Sequence, residues 1–349
     1  MHSTIKTAAN IAVFALIAGL PLALAGLGAR VGGAAVWLAL FYMTGLAMLA
    51  DRAIRRIPPA AAPDTGSMAA NALSVLLGLG HFVLLALVIP ALAGQGGPGP
   101  AARLALFLAA GMWFGQVSNS NAHELIHRRA PGLYWLGVAI YTSLLFGHHA
   151  SAHRKVHHRH VATPRDPNSA RRGEGFYRFA PRAWLGSFRA GLAAERGGRG
   201  LNPYWVYLGG AAATLLWAGW LAGGRGVAAL IALAAYAQMQ LLLSDYVQHY
   251  GLRRPTGPDG RPVPVSDADS WNAAQWFSGF LMLNAPRHSD HHAHPARPYP
   301  SLRLPPPHAA PRLPYSLPVM AAIALVPPLW RRVMARELAK WQRLRQAEA

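Results

Sequence analysis

Four long stretches of this chain carry no Asp, Glu, Lys or Arg: between Lys6 and Arg30, Arg30 and Asp51, Asp64 and Arg103, and Arg225 and Asp245. A helix that crosses a bilayer needs ~20 predominantly apolar residues. Each stretch supplies them, and the third has room for a polar turn besides. Charged residues make up 13% of the 349 residues, about half the ~25% of ordinary globular domains. These blocks predict an all-α integral membrane protein with about six transmembrane helices and a cytoplasmic histidine-rich cap. They disfavour a soluble bundle with unusually apolar core helices.

The net charge of +20 is distributed by topology. The expected outer turns carry only Arg30, Arg103 and Arg225, whereas Arg52, Arg55, Arg56, Arg128, Arg129 and the polar C-terminal half fall on the other side. That asymmetry follows the positive-inside rule and places the histidine-rich side of this multi-pass protein in the cytoplasm. A basic face suits anionic membrane lipid and an acidic partner protein. No basic helix with interleaved aromatics suggests a nucleic-acid partner. With no cysteine in the chain, disulfides, thiolate-ligated haem and cysteine-bound iron–sulfur clusters are excluded, so any electrons must come from another protein. The first 26 residues resemble a signal peptide, but the apolar run continues to Ala29, which favours a retained first helix.

Spans are expected near 8–28, 32–50, 68–93, 101–129, 203–223 and 226–246. Glycine-rich turns lie around Arg30 and at Gly223-Gly224-Arg225-Gly226, and a polar loop carries Pro58, Pro59 and Pro63. Gly132 to Phe146 is apolar enough to suggest another span. If it crossed, His153, His157 and His158 would lie across the bilayer from His123 and His127, so it is expected to dip into the interface and return. Tyr315 to Trp330 is short and interrupted by Pro318, Pro327 and Pro328, and reads as interfacial.

Most of the 16 histidines fall in three clusters: His123-x3-His127, His153-x3-His157-His158 and His288-x2-His291-His292, with His249 alone between the second and third. An i, i+4 pair on a helix points two imidazoles the same way, close enough to share one ion. The adjacent pair in each HH turns one ring toward a neighbouring ion. These nine imidazoles exceed the four to six ligands of one metal but suit two. A hydrolytic zinc site needs fewer, whereas many neutral nitrogen donors around two ions with open positions suit redox iron and dioxygen. His148, His149 and His160 are expected to orient ligands or water, and Glu124, Asp166, Asp245 and Asp290 to orient imidazole N–H groups, with helix capping an alternative for Asp166 and Asp290. His81, mid-span, reads as a packed, hydrogen-bonded residue. An apolar substrate would need a channel from the lipid. Trp37, Phe41, Tyr42, Trp113 and Phe114 are its candidates, with helix packing or an interfacial aromatic belt as the alternative.

The clusters lie within longer motifs: Asn121-Ala-His-Glu-Leu-Ile-His127, His153-x3-His-His158 running into Val161-Ala-Thr-Pro-Arg-Asp-Pro167, Gln248-His-Tyr-Gly-Leu252 and Arg287-His-Ser-Asp-His-His292. With Phe176-Tyr-Arg-Phe179, Ser270-Trp-Asn272 and Pro327-Pro-Leu-Trp-Arg331, nearly the whole chain resembles the AlkB-type alkane 1-monooxygenases of the membrane desaturase–hydroxylase superfamily. The resemblance implies a non-haem diiron enzyme that hydroxylates the terminal carbon of an alkane, an apolar small molecule. Electrons would come from rubredoxin and its NAD(P)H-dependent reductase. It also implies two irons on His123, His127, His153, His157, His158, His249, His288, His291 and His292. Residues 1–349 would then form a single hydroxylase domain, with a transmembrane bundle at about 8–129 and 203–250 and cytoplasmic or interfacial parts at 130–202 and 251–349. One position departs from the pattern: Ala152 stands where an acidic residue often precedes the first histidine of the second cluster. Related hydroxylases of alkyl-aromatic, terpene or fatty acyl substrates are the nearest alternative. A desaturase, or a metal transporter with ligands near mid-bilayer, fits the motifs and their positions less well.

Overall fold

The structure, a computed structural model, describes residues 2–54, 56, 57, 60, 67–198 and 200–348; the side chains of residues 2–8, 67, 347 and 348 and the prolines at 58, 59 and 63 lie outside that description. Among the described residues the chain is helical and contains no strand beyond two isolated bridges. Four long apolar helices come first: α1 (His2–Val31), α2 (Ala34–Ala53), α3 (Ser67–Leu92) and α4 (Pro100–Ile126). Helix α1 packs against the other three. The α1–α2 turn depends on Gly33, whose φ of 62° and ψ of −149° suit a residue without Cβ.

After α4 the chain forms α5 (Pro131–Ser143), which at 1.5 Å per residue is about 20 Å long and too short for a ~30 Å hydrocarbon core. It folds back along the end of α4, so closely that a Cβ on Gly137 would meet the Ala122 carbonyl oxygen at 2.9 Å. The chain therefore comes back to the end of α4, where the histidine argument needs it. Three helical segments then run from His149 to His160 (together α6), followed by α7 (Phe176–Glu195).

Pro203–His249 is a single helical run broken at Ala222 and Gly223; the arms are α8 before the break and α9 after it. Gly223 adopts φ 62°, ψ −157°, which only glycine enters freely. Among the described residues five helices are long and apolar enough to cross a membrane, the broken one among them; its two arms correspond to the last two expected spans. Three short helices follow, α10 (Trp276–Leu281), α11 (His288–Ala293) and α12 (Leu317–Ala324), and then the longer, polar α13 (Pro327–Glu348). Trp330, fully buried, packs on Tyr246 at 5.2 Å between ring centroids and ties α13 to the end of α9.

Because the chain has no cysteine, single-cysteine variants report topology cleanly. Arg129→Cys and Arg159→Cys, on either side of α5, are expected to react with a membrane-impermeant maleimide from one face, and Arg225→Cys from the other. Labelling of Arg129→Cys and Arg159→Cys from opposite faces would mean that α5 spans.

Candidate metal centre

The nine clustered histidines come together at one end of the bundle, in two groups. His123, His127, His153, His158 and His291 form one; His157, His249, His288 and His292 form the other. Within each group one ring nitrogen per residue lies within 4.8 Å of all the rest. His123 and His127 end α4, where His127 is already in the cap position. His249 ends α9, and α11 brings His288, His291 and His292.

Helix α6 divides its histidines by a π turn over His153–His157. The expectation that His153 and His157 share an ion is corrected by this turn. An i→i+5 backbone aligns His153 with His158, whose Nε2 atoms are 3.0 Å apart, and turns His157 to the other group. The i, i+4 rule holds for His123 with His127 and for His288 with His292, which lie on α-helical turns, and both adjacent pairs divide between the groups.

The donor set fits cations. His153 Nε2 has His123 Nε2 at 2.8 Å and His158 Nε2 at 3.0 Å, and His158 Nε2 has His291 Nε2 at 3.1 Å. His288 Nε2 likewise has His249 at 3.0 Å and His292 at 3.1 Å. A neutral imidazole has one N–H, so these contacts cannot all be hydrogen bonds. His127 Nε2 and His157 Nε2 are buried with no hydrogen-bond partner. Burial first, and the neighbouring imidazoles second, hold His153, His158, His288, His291 and His292 well below the ordinary imidazole pKa. They are neutral near pH 7 and present lone pairs. Burial also pulls His157 down, but the Asp166 carboxylate outweighs it and raises the pKa.

Of the expected orienting residues, Asp166 reaches a clustered imidazole: its Oδ2 accepts from His157 Nδ1 at 2.8 Å. That bond leaves His157 Nε2 as the lone pair facing its group. Asp166 is also the turn residue of its loop, accepting from Asn168 N and Ser169 Oγ at 3.0 and 2.7 Å. The other three carboxylates reach none of the nine: Glu124 and Asp245 have no imidazole partner here, which corrects the expectation for them, and Asp290 orients an imidazole outside the two groups. Glu124 accepts from Tyr299 N at 3.1 Å and pairs with Arg128. Asp245 accepts from Asn168 Nδ2 at 2.6 Å. Asp290 holds His294, Arg297 and the backbone N–H of Arg303. His149 stacks on His153 with centroids 5.1 Å apart. His148 lies among Phe146, Trp184 and Phe188, away from the groups, and the His160 carbonyl accepts from Thr163 Oγ1 at 2.7 Å in the turn that ends α6. His81 bridges Ser118 Oγ and Ser143 Oγ at 2.7 and 2.8 Å, a buried tie between helices as the sequence suggested.

A cavity of about 220 Å³ opens beside the groups, between α4, α9 and α12, and His123, His153 and His288 form part of its wall. The aromatic residues proposed as a channel do not line it. Trp37 and Phe41, 52% and 50% exposed, face outward from the bundle. Tyr42 donates to the Ile17 carbonyl at 3.1 Å and Trp113 to the Ala18 carbonyl at 2.9 Å, while Phe114 packs edge-on against His81. Helix α4 thus turns Trp113 and Phe114 toward α1 and α3, and the adjacent face, with Met112, Gln116 and Asn119, toward the cavity. Nothing in periodicity alone selects between two apolar faces of a buried helix.

Comparison with known proteins agrees with this arrangement. Residues 98–324 match the family model described as fatty acid desaturase. Alkane 1-monooxygenase 1 of Pseudomonas aeruginosa is 35% identical over 74% of this chain and 73% of its own length. The chain belongs to the alkane 1-monooxygenases. As a member of that family it is a membrane oxidoreductase. Alkane 1-monooxygenase of Pseudomonas putida is 34% identical over 68% of this chain and 61% of its own length. The xylene/toluene monooxygenase hydroxylase component XylM of Pseudomonas putida is 28% identical over 63% and 60%.

Ala152 has a structural reason: α7 crosses it at Gly191, where even a Cβ would come within 3.2 Å of the Ala152 backbone. Among the described residues no carboxylate reaches His153, whose Nδ1 is buried without a partner. His157 is therefore the better-held imidazole on α6. Asp166→Asn is expected to weaken metal retention about 10–100-fold, read as metal per chain across a chelator series. An unchanged chelator midpoint would remove Asp166 from this role.

Proposed function

We propose that this chain inserts one atom of dioxygen into a terminal C–H bond of a medium-chain alkane, using two irons held by the nine histidines. The observation that carries this reading is the cavity, mostly apolar yet walled at one end by His123 and His153 of one group and His288 of the other. A hydrocarbon offers no polar handle, so an apolar cavity ending at the oxidant must do the positioning. The bound irons would supply dioxygen activation. The protein's part is to keep nine imidazoles converged, to hold the His157 proton on Nδ1 through Asp166, and to exclude bulk water from the cavity. One oxygen atom enters the alkane; the other leaves as water with two protons and two electrons.

In this reading the electrons come from rubredoxin and its NAD(P)H-dependent reductase. The absence of cysteine excludes an internal iron–sulfur or thiolate-haem relay. The exposed Arg154, Lys155 and Arg159 on α6 give the side that carries the centre a basic rim suited to an acidic carrier. Six crossings of a bacterial inner membrane, histidines cytoplasmic, suit the arginine distribution. Residues 1–349 act as one domain in which 130–202 and 251–349 cap the bundle. The match to XylM supports a second reading, oxidation of a methyl group on an aromatic ring.

Purified protein is expected to contain about two irons per chain and to oxidise n-octane only with rubredoxin and reductase present. His249→Ala and His288→Ala are each expected to abolish turnover, and full activity in His249→Ala would remove it from the ligand set. Leu317→Trp, which fills cavity space contributed by α12, is expected to shift the preference toward shorter alkanes; an unchanged chain-length profile would place the substrate elsewhere.

A further inference from the structure

At the end of the bundle opposite the metal centre, two arginines share a groove. Arg103 in the first turn of α4 and Arg225 in the first turn of α9 line an opening of about 590 Å³, together with Leu104, Phe107, Ala228 and Ala229 and the end of α3. Phe107 follows Arg103 by one helical turn, and Ala228 and Ala229 follow Arg225 by one, so each guanidinium branches from the face that carries the apolar lining. Alanines on α9 opposite the larger side chains of α4 leave the groove open. Neither guanidinium has an ion-pair or hydrogen-bond partner among the described residues. No Asp or Glu falls between Asp64 and Glu124 or between Glu195 and Asp245, so the nearest carboxylate along either helix is about 30 Å away. The first turn is also the end of a helix where a cation is least favoured, so these arginines do not stabilise their own helices.

We propose that this groove binds a membrane phospholipid, its phosphate held between Arg103 and Arg225 and an acyl chain lying along Phe107, Ala228 and Ala229. Depth supports the assignment. Arg103 precedes His127 by 24 residues, which is about 36 Å of helix. A hydrocarbon core is ~30 Å thick and a bilayer with its headgroups ~40–45 Å. With the histidine end of α4 at one membrane surface, Arg103 falls at the phosphate level of the other. Guanidinium forks meet phosphate oxygens with paired N–H donors, and the apolar walls suit an acyl chain, which a free phosphate ion lacks. The site is separate from the cavity at the metal centre. Phe107 lines the groove and Tyr236 lines that cavity, and the two rings stack with centroids 5.6 Å apart. The bound lipid joins α4 to α9 at the end remote from His123, His127 and His249.

The test uses the full-length protein in detergent micelles and a phosphatidylglycerol with a photoreactive diazirine in one acyl chain, its cross-links mapped by mass spectrometry. In wild type, cross-links are expected at Leu104, Phe107, Ala228 and Ala229. In the double variant Arg103→Gln with Arg225→Gln their yield is expected to fall about fivefold or more, while cross-links at the histidine end stay unchanged and report an intact fold. Ala229→Phe fills the groove but keeps both charges, and is expected to give the same loss. Where the double variant also loses cross-links at the histidine end, Ala229→Phe decides. Unchanged yield in Ala229→Phe or in a folded double variant would overturn the proposal. Equal labelling of the groove by a diacylglycerol with the same chain would do so too, because that lipid has no phosphate. Displacement of the lipid by excess inorganic phosphate would make this an ion site and overturn the lipid assignment.

Discussion

A neutral imidazole carries one N–H and one lone pair, so His153 Nε2, with two other Nε2 atoms within 3.0 Å, cannot satisfy both by hydrogen bonding. Cations resolve that conflict, and much of the architecture near the centre serves to create it. Four separate segments deliver the nine rings: the end of α4, α6, the end of α9, and α11. Their burial keeps the rings of α6 and α11 neutral, His157 excepted, where Asp166 supplies the counter-charge. An apo centre of this kind stores unfavourable polar burial that metal binding releases, which couples metal loading to stability.

The convergence is possible because α5 turns back. Had thirteen apolar residues been twenty, α6 would have emerged across the bilayer and the two halves of the centre could never meet. The same return stacks α5 on α3 and α4, where His81 links Ser118 and Ser143. Ser118 closes the π turn Phe114–Ser118 of α4, and Gln116 lies within it. A π turn inserts a residue and shifts the helix face that follows. Here it lies between Trp113, held on α1, and His123, in the metal centre, so the helix packs against the bundle at one end and lines the centre at the other.

Much of the centre could be read before any coordinates. The all-α membrane class follows from charge-free stretches of spanning length, and the nine histidines from their clustering and the motifs around them. Asp166 was legible because it follows the second cluster at loop distance, but Glu124, Asp245 and Asp290 looked equivalent in sequence. What separates them is that Tyr299, Asn168 and Arg303 arrive from distant parts of the chain to claim those carboxylates first.

The amino-acid sequence by itself determined which side chains can bind metal and that the chain is membrane-embedded, because those properties depend on residue type and run length. Only the tertiary structure decided how the imidazoles divide between two groups, since a π turn in α6 has no signature in the periodicity of His153 to His158. It also decided where a substrate can lie. Trp113 and Met112 are neighbours on α4, and only packing against α1 on one side and α9 with α12 on the other tells the buried face from the one that lines the cavity.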